Sequence, residues 1–228
     1  GIDSAVVAAL AVDALGADNV HCVMLPYRYT SEASLRDAKR CAEVLGVRYD
    51  VVAIGGPVDA ANDALASLFD GREPDITEEN LQSRMRGTIL MAISNKLGAL
   101  LITTGNKSEM AVGYATIYGD MNGAYNPIKD MLKTQVYALA AWRNGYKPSD
   151  VRGPSGVVIP PEIIEKAPSA ELRPDQTDQD SLPPYPVLDA IIEALVEQEL
   201  SVAEIVALGH DPALVKRVEH LIYISEFK

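Results

Sequence analysis

Three short apolar runs, each set between stretches of helix length, constrain the fold of this chain more than any other feature. Asn19 to Pro26 (NVHCVMLP), Val47 to Ile54 and Ala99 to Thr104 (ALLITT) read as strands, with apolar residues in runs rather than at alternate positions. A strand wetted on one face alternates; one buried on both faces does not. Helical patterns separate them: Ala5 to Leu15 closed by Gly16, Ser34 to Leu45 with Gly46 as its cap, and Pro57 to Phe69 after the Gly55-Gly56 break. Further helices run from Thr77 to about Lys96 before Gly98, and from about Leu132 to Arg143. Pro57 suits a first helical turn. Thr77 and Asn80 fit the S/T-x-x-E/Q capping spacing only in part, because Asn stands in place of Glu. Strands alternating with long helices predict an α/β fold, a parallel sheet with helices on both faces. A helix that opens at residue 3 with no strand before it predicts that the natural chain continues upstream and that the first strand lies there.

The 228 residues suffice for one domain with a real core, and nearly half are apolar. No apolar run approaches the ~20 residues that span a bilayer. Asp3 and Asp13 break the first apolar stretch, which argues against a signal peptide and for a cytoplasmic protein. The two cysteines, Cys22 and Cys41, sit in a strand-like and a helix-like run and read as core thiols of a reducing compartment. A net charge of −12 speaks against a nucleic-acid or membrane-surface partner. Basic residues nevertheless cluster locally, Arg84 with Arg86 and Lys129 with Lys133, so an anionic small ligand fits. Most of the prolines fall in residues 148 to 186, and a long irregular segment of that kind reads as a lid or binding loop, here residues 148–184. Helical periodicity returns at Val187 to Glu199, Val202 to Leu208 and Pro212 to Ile224.

Five polar clusters carry the chemistry. Gly1-Ile2-Asp3-Ser4 turns into a helix, where backbone N–H groups and the helix dipole favour an anion and Asp3 can hold Mg²⁺; alone, it is also an ordinary helix cap. In Glu79 to Arg86 (ENLQSRMR), Leu81, Met85, Ile89 and Ile93 form the core stripe, while Asn80 and Arg84 share a different face. Asn offers a donor and an acceptor, Arg a planar fork for phosphate or carboxylate; a solvated polar face is the plainer alternative. Thr103 to Glu109 (TTGNKSE) follows a strand and starts a helix, the end of a parallel sheet where ligands bind. It reads equally as a capped turn. Tyr118-Gly119-Asp120 through Thr134 holds two lysines near Gly-rich turns. Lys133 opens a helix, where a bare cation opposes the dipole and a phosphate would remove the conflict; an exposed lysine is the alternative. Pro168-Ser169-Ala170-Glu171-Leu172, with Pro174-Asp175-Gln176, reads alone as a polar loop.

In this order, these pieces resemble the NAD synthetase family of ATP pyrophosphatases. The opening is similar to the end of the Ser-Gly-Gly-x-Asp-Ser loop of that superfamily, without its first Ser-Gly. Arg28-Tyr29-Thr30-Ser31, ENLQSRMR, TTGNKSE, YGD, PIKD and PSAEL with PDQTDQDSLPPY each resemble family segments, and the likeness covers nearly the whole chain. ENLQSRMR with TTGNKSE sets it apart from the sister families that make GMP, asparagine or argininosuccinate. The length of the Pro-rich loop resembles the glutamine-using bacterial branch, in which a nitrilase-like glutaminase domain precedes the synthetase domain; that domain is absent from residues 1–228.

The resemblance implies a fold like the adenine nucleotide alpha-hydrolases, with a parallel sheet of about five strands. It implies that Gly1, Ile2, Asp3 and Ser4 belong to a pyrophosphate loop, and that Arg28, Thr104, Lys133 and Ser169 also contact ATP. Asp3 and Lys133 are then the catalytic pair, and Asp3 and Glu109 the Mg²⁺ ligands. Asn80, Arg84, Glu109 and Lys228 bind nicotinic acid adenine dinucleotide. Ala124 stands near a place where ammonia-only relatives carry Asp, which leaves one substrate contact unassigned. The implied reaction amidates the dinucleotide to NAD with ATP and ammonia, through an adenylated intermediate, releasing AMP and pyrophosphate. The implied assembly is a homodimer. The residues by themselves leave open another amide-forming ATP pyrophosphatase, or a non-catalytic nucleotide-binding module.

Overall fold

The structure, a computed structural model, describes all residues from Gly1 to Lys228. Helix α1 (Ile2–Leu15) ends at Gly16, whose positive φ of 85° suits glycine alone among common residues. Strand β1 (His21–Met24) leads to α2 (Glu32–Leu45), capped by the Ser31 side chain on the Ser34 N–H. Strand β2 (Arg48–Val51) lies parallel to β1, with His21 opposite Arg48 and Met24 opposite Val51. Then come α3 (Gly55–Leu65), the long α4 (Ile76–Leu97), α5 (Lys107–Ala111) and α6 (Lys133–Gly145). A short α7 (Pro161–Glu165) precedes α8 (Tyr185–Ile192), which runs on into a π-helical turn at Glu193–Glu197; α9 (Val202–Ala207) and α10 (Pro212–Ser225) close the chain.

The α/β class with a parallel sheet holds, but the regular sheet has two strands, not about five. Ala99 to Thr104 is extended without forming a strand. Its ladder groups go elsewhere: the Thr103 N–H donates to the Tyr125 carbonyl at 2.9 Å and the Leu101 carbonyl accepts from Ala124, so one bridge, Ile102 to Tyr125, replaces a ladder to β1. The cap of α4 also differs from expectation. Asp75 accepts from the Thr77 N–H at 2.7 Å while Glu78 reaches back to the Asp75 N–H at 2.8 Å, a capping box two residues upstream of Thr77.

Three apolar clusters hold the fold. The first joins α1 to α2, α6 and α7 through Val6, Val12, Leu45, Val136, Ala140, Ile159 and Ile163. The second is built by α8, α9 and α10 around Leu188, Ile191, Ile205, Val215 and Val218. A smaller one sets Leu25, Ile54 and Val58 against Met85 and Ile89 of α4. Between α6 and α8, residues 148–184 are irregular apart from α7 and a 3₁₀ turn at Asp178–Asp180, yet packed, with Val158, Ile159, Ile163, Gln176, Asp178 and Leu182 buried. No helix is long and apolar enough to cross a membrane.

Candidate active site

The first turn of α1, the start of α5 and the start of α6 meet at one buried ammonium. Lys133 is 2% exposed; its Nζ donates to Asp3 Oδ2 at 2.6 Å and to Glu109 Oε1 at 2.7 Å. The alternative of a solvent-exposed lysine is thereby overturned: two carboxylates, each 17% exposed, answer the charge that opposes the α6 dipole. Asn106 ties the acids together. Its Nδ2 donates to Asp3 Oδ1 at 3.0 Å, and its Oδ1 caps α5 by accepting the Glu109 N–H at 3.0 Å. The Tyr185 hydroxyl bonds Asp178 Oδ2 at 2.7 Å and Glu109 Oε1 at 3.3 Å, and its ring lies 5.3 Å from Lys133 Nζ.

Two carboxylates share one ammonium, so the pair carries one charge too many when both are ionised. Burial, with the Asp3 charge next, pushes the Glu109 carboxyl up to about 7, against the pull of Lys133. Burial drives the Lys133 ammonium down, but Glu109 and Asp3 outweigh it and hold its pKa above the ordinary lysine value. At the same place, α1 presents the N–H groups of its first turn, which have no intrahelical partner. Ile2 has only its backbone to offer here, because its side chain is buried in the first cluster; the Ser4 hydroxyl donates to the Gly1 carbonyl at 3.0 Å.

A second group forms around residues 113–117, directly after α5. Asn80 Oδ1 accepts from the Thr116 hydroxyl at 3.0 Å, Arg84 Nε donates to the Ile117 carbonyl at 3.2 Å, and Lys228 Nζ donates to the carbonyls of Gly113 and Ala115 at 2.6 and 2.7 Å. Two residues one turn apart on α4 and one at the far end of the chain thus grip one segment. Backbone packing explains why the segment lies so close to α4: a Cβ on Gly87 would stand 2.8 Å from the Tyr118 carbonyl and 2.9 Å from that of Gly119.

Other expected residues sit apart from the lysine. Arg28 is exposed, paired with Asp59 of α3 at 2.6 Å and stacked 4.8 Å from the Tyr27 ring. Ser169 holds its own loop, donating to the Gln176 carbonyl and accepting the Glu171 N–H at 3.1 Å. Thr104 is half-buried at the end of the extended segment. Asn106, Tyr185, Asp178, Lys166 and Glu171 were not foreseen as site residues. The Asn-x-x-Glu spacing of Asn106 and Glu109 was the available signal for the first; Glu171, Asp178 and Tyr185 lie in the PSAEL and PDQTDQDSLPPY segments, whose likeness to the family gave them no role, and Lys166 carried no signal. Glu171 accepts from the Ser31 and Ser34 hydroxyls at 2.8 and 2.7 Å, and Lys166 donates to Ser34 at 2.6 Å, so the Pro-rich segment is clasped to the start of α2.

Neither thiol is placed to act as a thiolate. Cys41 is buried, with its pKa pushed up to about 11 by desolvation, and burial also raises that of Cys22. His21 is occupied by Asp50 at 2.7 Å.

Comparison with known proteins supplies the lineage. The NAD synthase family profile matches residues 1–228. The chain is similar to the glutamine-dependent NAD(+) synthetase of Rhodobacter capsulatus, 64% identical over all of this chain and 41% of that protein. Thus it spans about two fifths of the length of that curated relative. Its fold is similar to the structure of glutamine-dependent NAD+ synthetase from Acinetobacter baumannii in complex with ADP, at TM-score 0.68 and 43% identity over 97% of this chain and 38% of that one. It is also similar to the NH3-dependent NAD synthetase of Campylobacter jejuni, at TM-score 0.74 and 28% identity over 100% of this chain and 82% of that one. A match that runs from the first residue to the last assigns the lineage: this chain belongs to the NAD synthase family.

Proposed function

We propose that this chain amidates nicotinic acid adenine dinucleotide to NAD, consuming ATP and ammonia and releasing AMP and pyrophosphate. The observation that carries the reading is the Lys133 ammonium, buried between Asp3 and Glu109 beside the free N–H groups of the α1 first turn. That arrangement suits a polyphosphate whose charge grows as its bond to the α-phosphorus breaks.

In the first step an oxygen of the nicotinate carboxylate attacks the α-phosphorus of ATP, and the bond to the bridging oxygen of pyrophosphate breaks. Lys133 and the α1 amides stabilise the charge that gathers on pyrophosphate, and positioning supplies much of the rate. In the second step ammonia attacks the acyl carbon of the adenylate, the carbon–oxygen bond breaks, AMP leaves with the bonding electrons, and the attacking nitrogen gives up one proton to solvent. No covalent enzyme nucleophile is required, in keeping with two thiols whose pKa values burial raises. Asp3 and Glu109, which converge on the Lys133 ammonium, would be the residues to hold Mg²⁺, which takes one or two carboxylates with phosphate oxygens among its other ligands. When bound, it neutralises phosphate charge.

Asn80, Arg84 and Lys228, gathered on residues 113–117, make the dinucleotide side of the site, with Glu109 between the two sides. Arg28, Thr104 and Ser169 reach ATP from the rim, and residues 148–184 act as the lid. The reading includes a cytoplasmic homodimer and, in the whole protein, an upstream glutaminase domain. The test is product analysis with purified protein. AMP and pyrophosphate should appear only when the dinucleotide is added. Release of ADP and phosphate, or AMP release independent of the dinucleotide, overturns it.

A further inference from the structure

Helix α6 opens without a cap of its own. Leu132 stands at its N-cap position and offers no side-chain acceptor, yet Leu132 and Lys133 are buried. Buried N–H groups at a helix start cost free energy unless they are bonded. Each is bonded here. Gln135 Oε1 accepts the Leu132 N–H at 2.9 Å. Ser108 Oγ accepts the Lys133 N–H at 2.8 Å, and Asp189 Oδ2 accepts the Thr134 N–H at 2.8 Å. The Ser108 hydroxyl in turn donates to Asp189 Oδ1 at 2.5 Å. Ser108 is 0% exposed and Asp189 3%.

The origin of these two side chains gives the arrangement its meaning. Ser108 immediately precedes Glu109 on α5. Asp189 lies one turn beyond Tyr185 on α8. Lys133 is the first residue of α6. One serine and one carboxylate therefore join the backbones that carry Glu109, Lys133 and Tyr185. An Asp or Ser at position 132 would cap α6 equally well but would tie it to neither neighbour. The Asp189 charge at the positive end of α6 also offsets the clash between that dipole and the Lys133 ammonium.

We infer that Asp189, acting through Ser108, is a positioning residue for Lys133 and Glu109, setting the geometry of the ammonium–carboxylate centre without touching it. The kinetic part of this inference rests on the proposed amidation; the geometric part does not. A displacement of about 1 Å at reacting groups can cost on the order of 10²-fold in rate.

The test compares Asp189→Asn and Ser108→Ala in the full chain. For Asp189→Asn, kcat falls by about 10- to 100-fold, while KM for ATP stays within about threefold because the other proposed nucleotide contacts, the α1 amides, Arg28, Thr104 and Ser169, keep their places. Ser108→Ala, which removes a hydroxyl and no charge, falls by about tenfold and serves if Asp189→Asn folds poorly. Amide hydrogen exchange supplies a readout independent of activity: residues 132–134 exchange faster in both variants, while the rest of α6 stays as protected as in the wild type. Unchanged kcat overturns the proposal, as does a loss of activity accompanied by faster exchange throughout α6 and α8, which is simple unfolding. If the wild type itself makes no AMP with the dinucleotide, the amidation reading fails instead. Unaltered exchange at residues 132–134 in Asp189→Asn then still refutes the relay.

Discussion

Lys133 serves two carboxylates at 2.6 and 2.7 Å, and its removal acts on stability and chemistry together. In Lys133→Ala, Asp3 and Glu109 face each other with no cation. Breaking a buried ion pair from one side costs about 3–5 kcal/mol. Loss of one charge donor at a transition state lowers turnover by about 10²–10³-fold. Thermal melting and turnover of the variant should both fall; normal turnover with a lowered melting temperature would assign Lys133 to the fold alone. From the sequence, Asp3, Glu109 and Lys133 were nameable through their motifs. Their mutual contact was not, because the partners lie 130 and 24 residues away. That distance is why the sequence left an exposed Lys133 open as the alternative to a phosphate-binding one.

Among the elements, α4 and the segment after α5 depend on one missing side chain. Gly87→Ala places a methyl 2.8 Å from the Tyr118 carbonyl, and backbone cannot yield as a flexible side chain would. Overpacking of this kind costs about 1–3 kcal/mol. The displaced segment carries Thr116, the partner of Asn80, so KM for the dinucleotide should rise several-fold while KM for ATP holds; equal rises in both would show general damage. The Pro-rich segment gives a second expectation. Glu171→Ala removes the acceptor shared by Ser31, Ser34 and Lys166, so proteolytic cutting within residues 166–176 should quicken. Saturating ATP and dinucleotide should slow cutting in the wild type, and equal rates with and without them would remove the lid role. The long helices were legible because their stripes and glycine stops are local signals. The loss of the expected third strand was not, since an apolar run names no ladder partner, here Ala124 and Tyr125, and does not ensure burial: Leu100 is exposed. Nor did the Pro-rich composition of residues 148–184 reveal how much of the segment is buried.

At the scale of the whole molecule, the site lies on the seam between the two large apolar clusters. Leu132 belongs to the second and Val136 and Ala140 to the first, so α6 starts where they meet and Lys133 sits on the join. The same view bears on the source of nitrogen. Hydrolysing the amide of glutamine needs an activated nucleophile, usually a thiolate with a base beside it. Cys41, at about 11, and Cys22, also raised, remain thiols at neutral pH, and His21 is held by Asp50. Alkylation of the native protein at pH 8 should therefore be slow at both cysteines and quicken on unfolding, as their pKa values return toward the ordinary thiol value. It follows that residues 1–228 should make NAD from free ammonia and not from glutamine, even though the relative that shares 64% of their sequence is named glutamine-dependent. Supplying the purified chain with either nitrogen donor and measuring NAD decides the matter. Synthesis from glutamine at a rate like that from ammonia would require a thiolate centre that neither cysteine can provide.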